Sequence, residues 1–317
     1  MAEIAFEKFN VPGFYIANDS VLSAFAAGKS TALIIDIGDQ VTSVTPIVDG
    51  FVLRKGVVRF QLGAQSISNA YLQSLEEGQR VNVMNNLIPH QLIESKTTVD
   101  LGNPPKFNLR NDKLNECTES WRNYANNKII KDWRENTSAV NEFVEFDENI
   151  LNQRPLKSFE FPNGYSDSYG LARFKANEIL FQPHLFTNVP QNVPKYSIDN
   201  PSIPTVSNDQ LKSLSDLIKE SIQAAETDSR TALLSNVVVV GGVSITQGLN
   251  DRIQNEIYKV FPGARIKVHT SANAIERKYA AWLGGSMLGS LGTFHQLWIS
   301  QEEWKDIGKP IVGMRCK

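Results

Sequence analysis

Two apolar runs, Ala32–Ile35 and Val237–Val240, each break into glycine where a strand would otherwise continue. The first opens into Asp36-Ile37-Gly38-Asp39-Gln40-Val41, followed by Thr42-Ser43-Val44-Thr45-Pro46-Ile47, and the second into Gly241-Gly242-Val243-Ser244. Apolar runs without polar alternation read as strands covered on both faces, which calls for helices on either side of a sheet. Glycine at the end of such a strand lets the main chain turn sharply and come close to whatever lies beyond it. Two turns of this kind, one in each half of the chain, point to an α/β architecture and imply a nucleotide held between two lobes.

The residue types suit that chemistry. A nucleoside triphosphate needs backbone N–H groups directed at its phosphates. It also needs a carboxylate to hold hydrated Mg2+, which keeps most of its waters and takes few protein ligands. Asp36 at the strand end is the candidate for the metal, acting through water. Gly38 removes a Cβ from the path of the phosphates, and the amides of Asp39, Gln40 and Val41 are candidate donors. Gly241, Gly242 and Val243 are the matching candidates on the second turn. Taken singly, the first turn is more simply a tight hairpin with a solvated acidic tip, and the glycine pair a close strand–helix turn. The combination carries the reading. Gly28-Lys29-Ser30-Thr31 imitates the end of a P-loop, but Ser23 stands where its first glycine is required, and the segment precedes a strand. It is rejected.

Around these turns, residues 4–16 read as a strand-like entry broken at Pro12-Gly13. A short helix over Ser20–Ala27 ends at Gly28, and a strand follows over Thr31–Asp36. Asp49-Gly50, between Val41–Ile47 and Phe51–Lys55, marks a hairpin, and residues 64–76 fit an amphipathic helix. Residues 84–112 show no sustained periodicity. A helix over Glu116–Arg134 turns Trp121, Tyr124 and Ile129 inward, and Phe159–Leu171 is a hairpin around Pro162-Asn163-Gly164. Four prolines mark residues 187–206 as a surface loop. A helix carrying Leu211, Leu214, Leu217, Ile218 and Ile222 is capped at Ser207 or Asn208. Leu249, Ile253 and Ile257 line another helix after Gly248, and Ile266–His269 is a strand. The remainder is helical and aromatic, with Trp282, Phe294, Trp298 and Trp304.

Composition narrows the function classes. A formal net charge of −2 with 21% charged residues leaves no basic footprint for strong direct nucleic-acid binding. Cys117, Cys316 and the four histidines (His90, His184, His269, His295) form no metal-ligand pattern, and a reducing compartment is expected. No apolar run approaches the ~20 residues needed to span a bilayer, and Glu3 and Glu7 break any signal-like start, so no membrane contact is expected.

Together with Glu276-Arg277-Lys278-Tyr279 and Trp282-Leu283-Gly284-Gly285-Ser286, the two turns resemble the actin family. Residues 5–53 look like the segment ending in that family's second phosphate loop. Phe161-Pro162-Asn163-Gly164 and Leu180-Phe181-Gln182-Pro183 look like its hairpin and FQP region, and residues 236–317 follow its C-terminal region. Ile47-Val48-Asp49-Gly50, Tyr124-Ala125-Asn126-Asn127 and Gly289-Ser290-Leu291-Gly292-Thr293-Phe294-His295-Gln296-Leu297-Trp298 are more similar to the nuclear actin-related protein 4 class. The resemblance implies an actin/Hsp70-like (ribonuclease H-like) two-lobed α/β fold. Against that family the chain would be incomplete at its N-terminus, without the segment of the first two subdomains and the first phosphate loop. Residues 1–30 would be a remnant of the first lobe, 31–272 the second lobe, and 273–317 a helical return to the first.

It also implies ATP with Mg2+ as cofactor. Arg134 and Glu135 would take the family's ribose and purine contacts, and Lys278 would lie over the adenine. Asp19 and Ser43 stand where the family carries the Gln and His that orient the attacking water. Losing both should cripple hydrolysis, so ATP is expected to brace the lobes, with no catalytic residue and no enzyme activity. The segment after Phe186, Thr187-Asn188-Val189-Pro190, offers little apolar surface for polymerisation. Phe25, Leu288, Leu291 and Thr293 map to the groove where family members dock helices, although ordinary core packing explains them equally well. The implied role is a nuclear scaffold subunit of chromatin-remodelling and histone acetyltransferase complexes, serving transcription regulation and DNA repair. Its partners would be monomeric actin, a helicase-associated helix of the large subunit, and histones. The alternative is an ATP-hydrolysing cytoskeletal actin-like protein.

Overall fold

The computed structural model describes residues 1–114, 116–186 and 212–316. Its strands, in chain order, are β1 (Gly13–Phe14), β2 (Ala32–Ile37), β3 (Thr42–Val48), β4 (Phe51–Val52), β5 (Val58–Phe60), β6 (Ile93–Thr97), β7 (Lys106–Leu109), β8 (Lys157–Glu160), β9 (Ser166–Tyr169), β10 (Val237–Val240), β11 (Val268–His269) and β12 (Ile299–Ser300). Six of them make a mixed sheet in the order β11-β10-β2-β3-β4, with β5 also paired to β3. β10 runs parallel to both β11 and β2, whereas β2 and β3 are antiparallel.

All four valines of β10 are buried, as a strand covered on both faces requires. One face of β2 sends Leu33, Ile35 and Ile37 into the main core beside Ile67, Leu217, Ile218 and Ile253. The other sends Ala32 and Ile34 into a smaller core with Ala24, Val238 and Ala280. Strand alternation then fixes the next residue: Asp36 belongs to this second face, at the strand's end. Asp49 and Gly50 have φ of 51° and 84°, the left-handed pair that a two-residue turn between Val48 and Phe51 needs.

Most expected elements form where the periodicity puts them. The helices Asp19–Ala26, Ala64–Ser74 and Leu249–Val260 and the hairpin β8–β9 lie within a few residues of their expected limits. Three readings need correction. The strand-like entry is confined to Gly13–Phe14, and Ile4–Lys8 is a single wide helical turn. Helical spacing puts Ala2 and Phe6 together on one side. There Phe6 stacks on Trp304 at 5.0 Å, beside Ile299 and Ile311, tying the two ends of the described chain together.

The helix Glu119–Thr137 forms, but Tyr124 is 63% exposed. Trp133 sets the rotation: it stacks on Tyr71 at 4.1 Å within a cluster that includes Tyr169 and Phe161. Tyr124 precedes it by two and a half helical turns and so lies on the opposite side. The third correction concerns the helix that begins at Leu214, whose cap is Ser213 in a capping box with Asp216. Ser207, Asn208 and Leu211, the loop 187–206 and the segment Thr187–Pro190 all lie outside the described residues. The stretch 84–112, without readable periodicity, holds the end of the helix Glu77–Asn85 and the hairpin β6–β7. Among the described residues no helix is long and apolar enough to cross a membrane.

Candidate functional site

β2 and β10 lie side by side and parallel, so the two glycine turns emerge together at their carboxyl ends. That is where open α/β sheets leave a crevice for ligands. Val240 pairs with Asp36, which places Gly241 directly beside the carboxylate. Gly241 has φ +92°, and a Cβ there would fall on Asp36 Oδ1 and on the Ile37 carbonyl. Only glycine serves at this position, on grounds both of backbone angle and of space.

The turn after β2 is held from beneath. Gly38 N–H donates to the Val41 carbonyl at 3.0 Å, closing the turn. The Gly38 and Asp39 carbonyls accept from the amides of Ala64 (3.0 Å) and Gln65 (2.8 Å), the first residues of the helix Ala64–Ser74. The turn thus satisfies orphan donors of that helix through its carbonyls. Gly38 is occupied as a donor, and the amides of Asp39, Gln40 and Val41 make no backbone hydrogen bond among the described residues.

Asp36 pairs across the sheet with Ser43, so their side chains share a face. On the same face Ser20 donates to Thr45 Oγ1 at 3.2 Å, bringing the start of the helix Asp19–Ala26 onto the sheet. Burial pushes the Asp36 carboxyl above the usual range, and the nearby charge of Asp19 pushes it further the same way. Asp19, Asp36 and Ser43 are therefore neighbours.

Arg134 arrives from the helix Glu119–Thr137 and is only 2% exposed. Burial lowers its pKa, and the negative charges of Glu135 and Asp39 oppose that shift. One guanidinium nitrogen lies 3.7 Å from Glu135, and its Nε has no acceptor. The influence of Asp39 puts this guanidinium near the first turn. Lys278 is half-buried at the end of the helix Ala274–Lys278, its Nζ 5.6 Å from the Tyr279 ring centre. Val243 is buried, and a Cβ on Gly242 would meet nothing within 4 Å.

One contributor went unassigned in the sequence. The Arg277 carbonyl accepts from Gly241 N–H at 3.1 Å, its guanidinium donates to the Ser244 carbonyl at 3.0 Å, and its Nε is buried without an acceptor. Its place beside Lys278 was the available signal. Among the described residues no group of three or more His, Cys, Asp or Glu converges as a metal cage.

Of the four groove residues, Leu288 lines a cavity of about 340 Å3 with Tyr15, Leu22, Phe294 and Trp298, whereas Phe25, Leu291 and Thr293 do not. Phe25 and Leu291 are 38% and 46% exposed.

Residues 1–317 match the protein-family model described as Actin. The chain belongs to the actin family. The mixed sheet with helices on both faces is accordingly the actin/Hsp70-like fold. Among curated actin-family relatives, the chain is 39% identical to Actin-related protein 4 of Mycosarcoma maydis, over all of this chain and 63% of the relative. It is 37% identical to Actin-related protein 4 of Yarrowia lipolytica, over 96% of this chain and 66% of the relative. It is 36% identical to the SWI/SNF and RSC complexes subunit arp42 of Schizosaccharomyces pombe, over 99% of this chain and 73% of the relative. The chain thus spans slightly less than two thirds of the length of the first two.

Proposed function

We propose that this chain is an actin-fold scaffold subunit of a nuclear chromatin-remodelling or histone acetyltransferase complex, and that it binds Mg2+·ATP without hydrolysing it. The observation that carries the nucleotide part is the register of β2 on β10, which sets Gly241 against Asp36 with the free amides of Asp39, Gln40 and Val41 alongside. Arg134, a buried cation close enough to Asp39 to feel its charge, suits a site that receives an anion beside the first turn. Asp36 would hold hydrated Mg2+; Arg134, Glu135 and Lys278 would hold the nucleoside. When bound, ATP would supply a polyanion contacting both turns, which lie on one sheet, so any bracing of the carboxyl-terminal segment would come through Lys278.

The lack of turnover rests on Asp19 and Ser43. A carboxylate beside Asp36 and a hydroxyl paired with it across the strands offer no amide–imidazole pair to orient water. The complex membership rests on the relatives, one of which is named as a subunit of SWI/SNF and RSC complexes. Monomeric actin and a helicase-associated helix of the large subunit are the proposed partners, with histones secondary.

The test is to titrate the protein with Mg2+·ATP and follow both melting and phosphate release under single-turnover conditions. At a hundredfold excess over Kd, binding should add about 2.7 kcal/mol of stability with no phosphate released. Asp19→Gln combined with Ser43→His should gain measurable release. Turnover by the unaltered chain, or no thermal shift at any nucleotide concentration, overturns the reading and leaves the cytoskeletal ATPase or an empty scaffold respectively.

A further inference from the structure

The cavity of about 340 Å3 that Leu288 lines opens beside β1. Phe14, Tyr15 and Ala17 supply one part of its wall, Phe294 and Trp298 another, and no charged side chain lines it. The aromatic rings are continuous: Tyr15 meets Phe294 edge-on at 5.7 Å, and Phe294 meets Trp298 edge-on at 5.8 Å. β1 itself pairs antiparallel with β12 and with no other described strand. Successive residues of a strand offer their N–H and C=O groups to opposite sides. The Pro12 carbonyl accepts from Gln301 N–H at 3.1 Å, so Phe14 also turns its backbone groups towards β12. Ile16 keeps the alternation, its N–H donating at 3.4 Å to Cys316 Sγ, which packs in the same small core as Ile299. Tyr15 and Ala17 therefore turn theirs the other way, where they make no backbone hydrogen bond among the described residues. Sheet edges are usually blunted by a charge or a proline. The run Gly13-Phe14-Tyr15-Ile16-Ala17 has neither. Two strands paired over two residues are also marginal by themselves.

We propose that the free edge of β1 receives an extended apolar segment of a separate polypeptide as a third strand, with one bulky side chain of that segment filling the aromatic cavity. Main-chain pairing gives the affinity and the cavity selects the side chain, the division of labour of β-strand addition. The unpaired groups of Tyr15 and Ala17 select an extended backbone over a helix, whose own N–H and C=O groups are spent internally. The strand comes from another polypeptide, because each of the described strands already has its place in a sheet. The site rests neither on nucleotide binding nor on the helical partner proposed above.

The probe is a heptapeptide of alternating threonine and valine with a central phenylalanine, titrated into the full chain by calorimetry while tryptophan emission is followed. One equivalent should bind, with a blue shift as the half-exposed Trp298 loses water. Trp298→Phe should remove most of that shift while the heat of binding persists. Alanine in place of the central phenylalanine, or N-methylation of the peptide amides, should each weaken binding roughly tenfold or more. Leu288→Arg should weaken the parent peptide similarly, and the two altered peptides keep the test independent of how well that variant folds. No saturable binding of the parent peptide, or equal binding of the N-methylated one, would overturn the proposal. So would equal binding of a helix-locked peptide carrying the same phenylalanine. Concentration-dependent dimerisation of the chain alone, abolished by Leu288→Arg, would give the face to a second copy and overturn it too.

Discussion

Asp36 is the last residue on a face of β2 that is otherwise apolar, so its carboxylate is half-buried near the strand's carboxyl end at an energetic cost. Burial first, and Asp19 second, raise its pKa. A carboxyl with a raised folded pKa stabilises the fold below its unfolded value of about 3.9, and that contribution is lost as pH rises through the raised value. Once ionised, the group therefore weakens the empty protein. Asp36→Asn should raise the melting temperature of the nucleotide-free chain by about 2 °C and abolish the further rise produced by Mg2+·ATP. A lower melting temperature for the empty variant would show that the carboxylate is structural. Nucleotide affinity in the unaltered chain should grow as pH rises through the same titration, which a pH series of binding isotherms measures.

At the scale of elements, the contact that seats the carboxyl-terminal segment is the crossing of the helices Asp19–Ala26 and Ala280–Gly289. A Cβ on Gly284 would overlap the carbonyl of Leu22, so the two backbones touch there. Replacing glycine by alanine within a helix gains about 1 kcal/mol of propensity. Overpacking against a carbonyl that cannot rotate away costs more, about 1–3 kcal/mol or beyond. Gly284→Ala should therefore destabilise the chain. Gly285→Ala, whose Cβ would meet Leu22 Cδ1 at an ordinary 3.5 Å, should be neutral or mildly stabilising. Chemical denaturation of the pair checks the sign. If both variants shift alike, the crossing is looser than described.

At the scale of the whole molecule, a buried ion cluster ties together segments that are distant in sequence. Arg252 is 0% exposed, forks Glu178 with two bonds of 2.8 Å, and bonds Glu256 through Nε at 2.8 Å. It also donates to the Asn141 carbonyl at 3.2 Å and lies 4.3 Å from the Phe181 ring centre. One side chain thereby joins the helix Leu249–Val260, the turn Ala176–Leu180 and the loop at Asn141. Burial raises the pKa of Glu178, and Arg252 opposes that rise. Arg252→Met should cost about 3–5 kcal/mol, because it strands buried carboxylates. Adding Glu178→Gln should recover part of the loss, whereas simple loss of packing would make the double variant worse. Urea midpoints of the three proteins decide between these.

The sequence alone determined a strand over Thr31–Asp36, one residue from the observed Ala32–Ile37, the strand Val237–Val240, the Asp49-Gly50 turn and the amphipathic helices, because hydrophobic period and glycine are local signals. Tertiary structure decided what those signals could not encode. Arg252 and Glu256 share the stripe of Leu249, Ile253 and Ile257, and only Glu178, arriving from a distant segment, gives Arg252 its partner. Tyr124 read as inward until Trp133 fixed the helix's rotation. Arg277 acquired its place only when β10 was laid against β2. Periodicity reports which faces a chain will hide; charge pairing, helix rotation and backbone contact depend on neighbours brought together by the fold, and those are set only when the core closes.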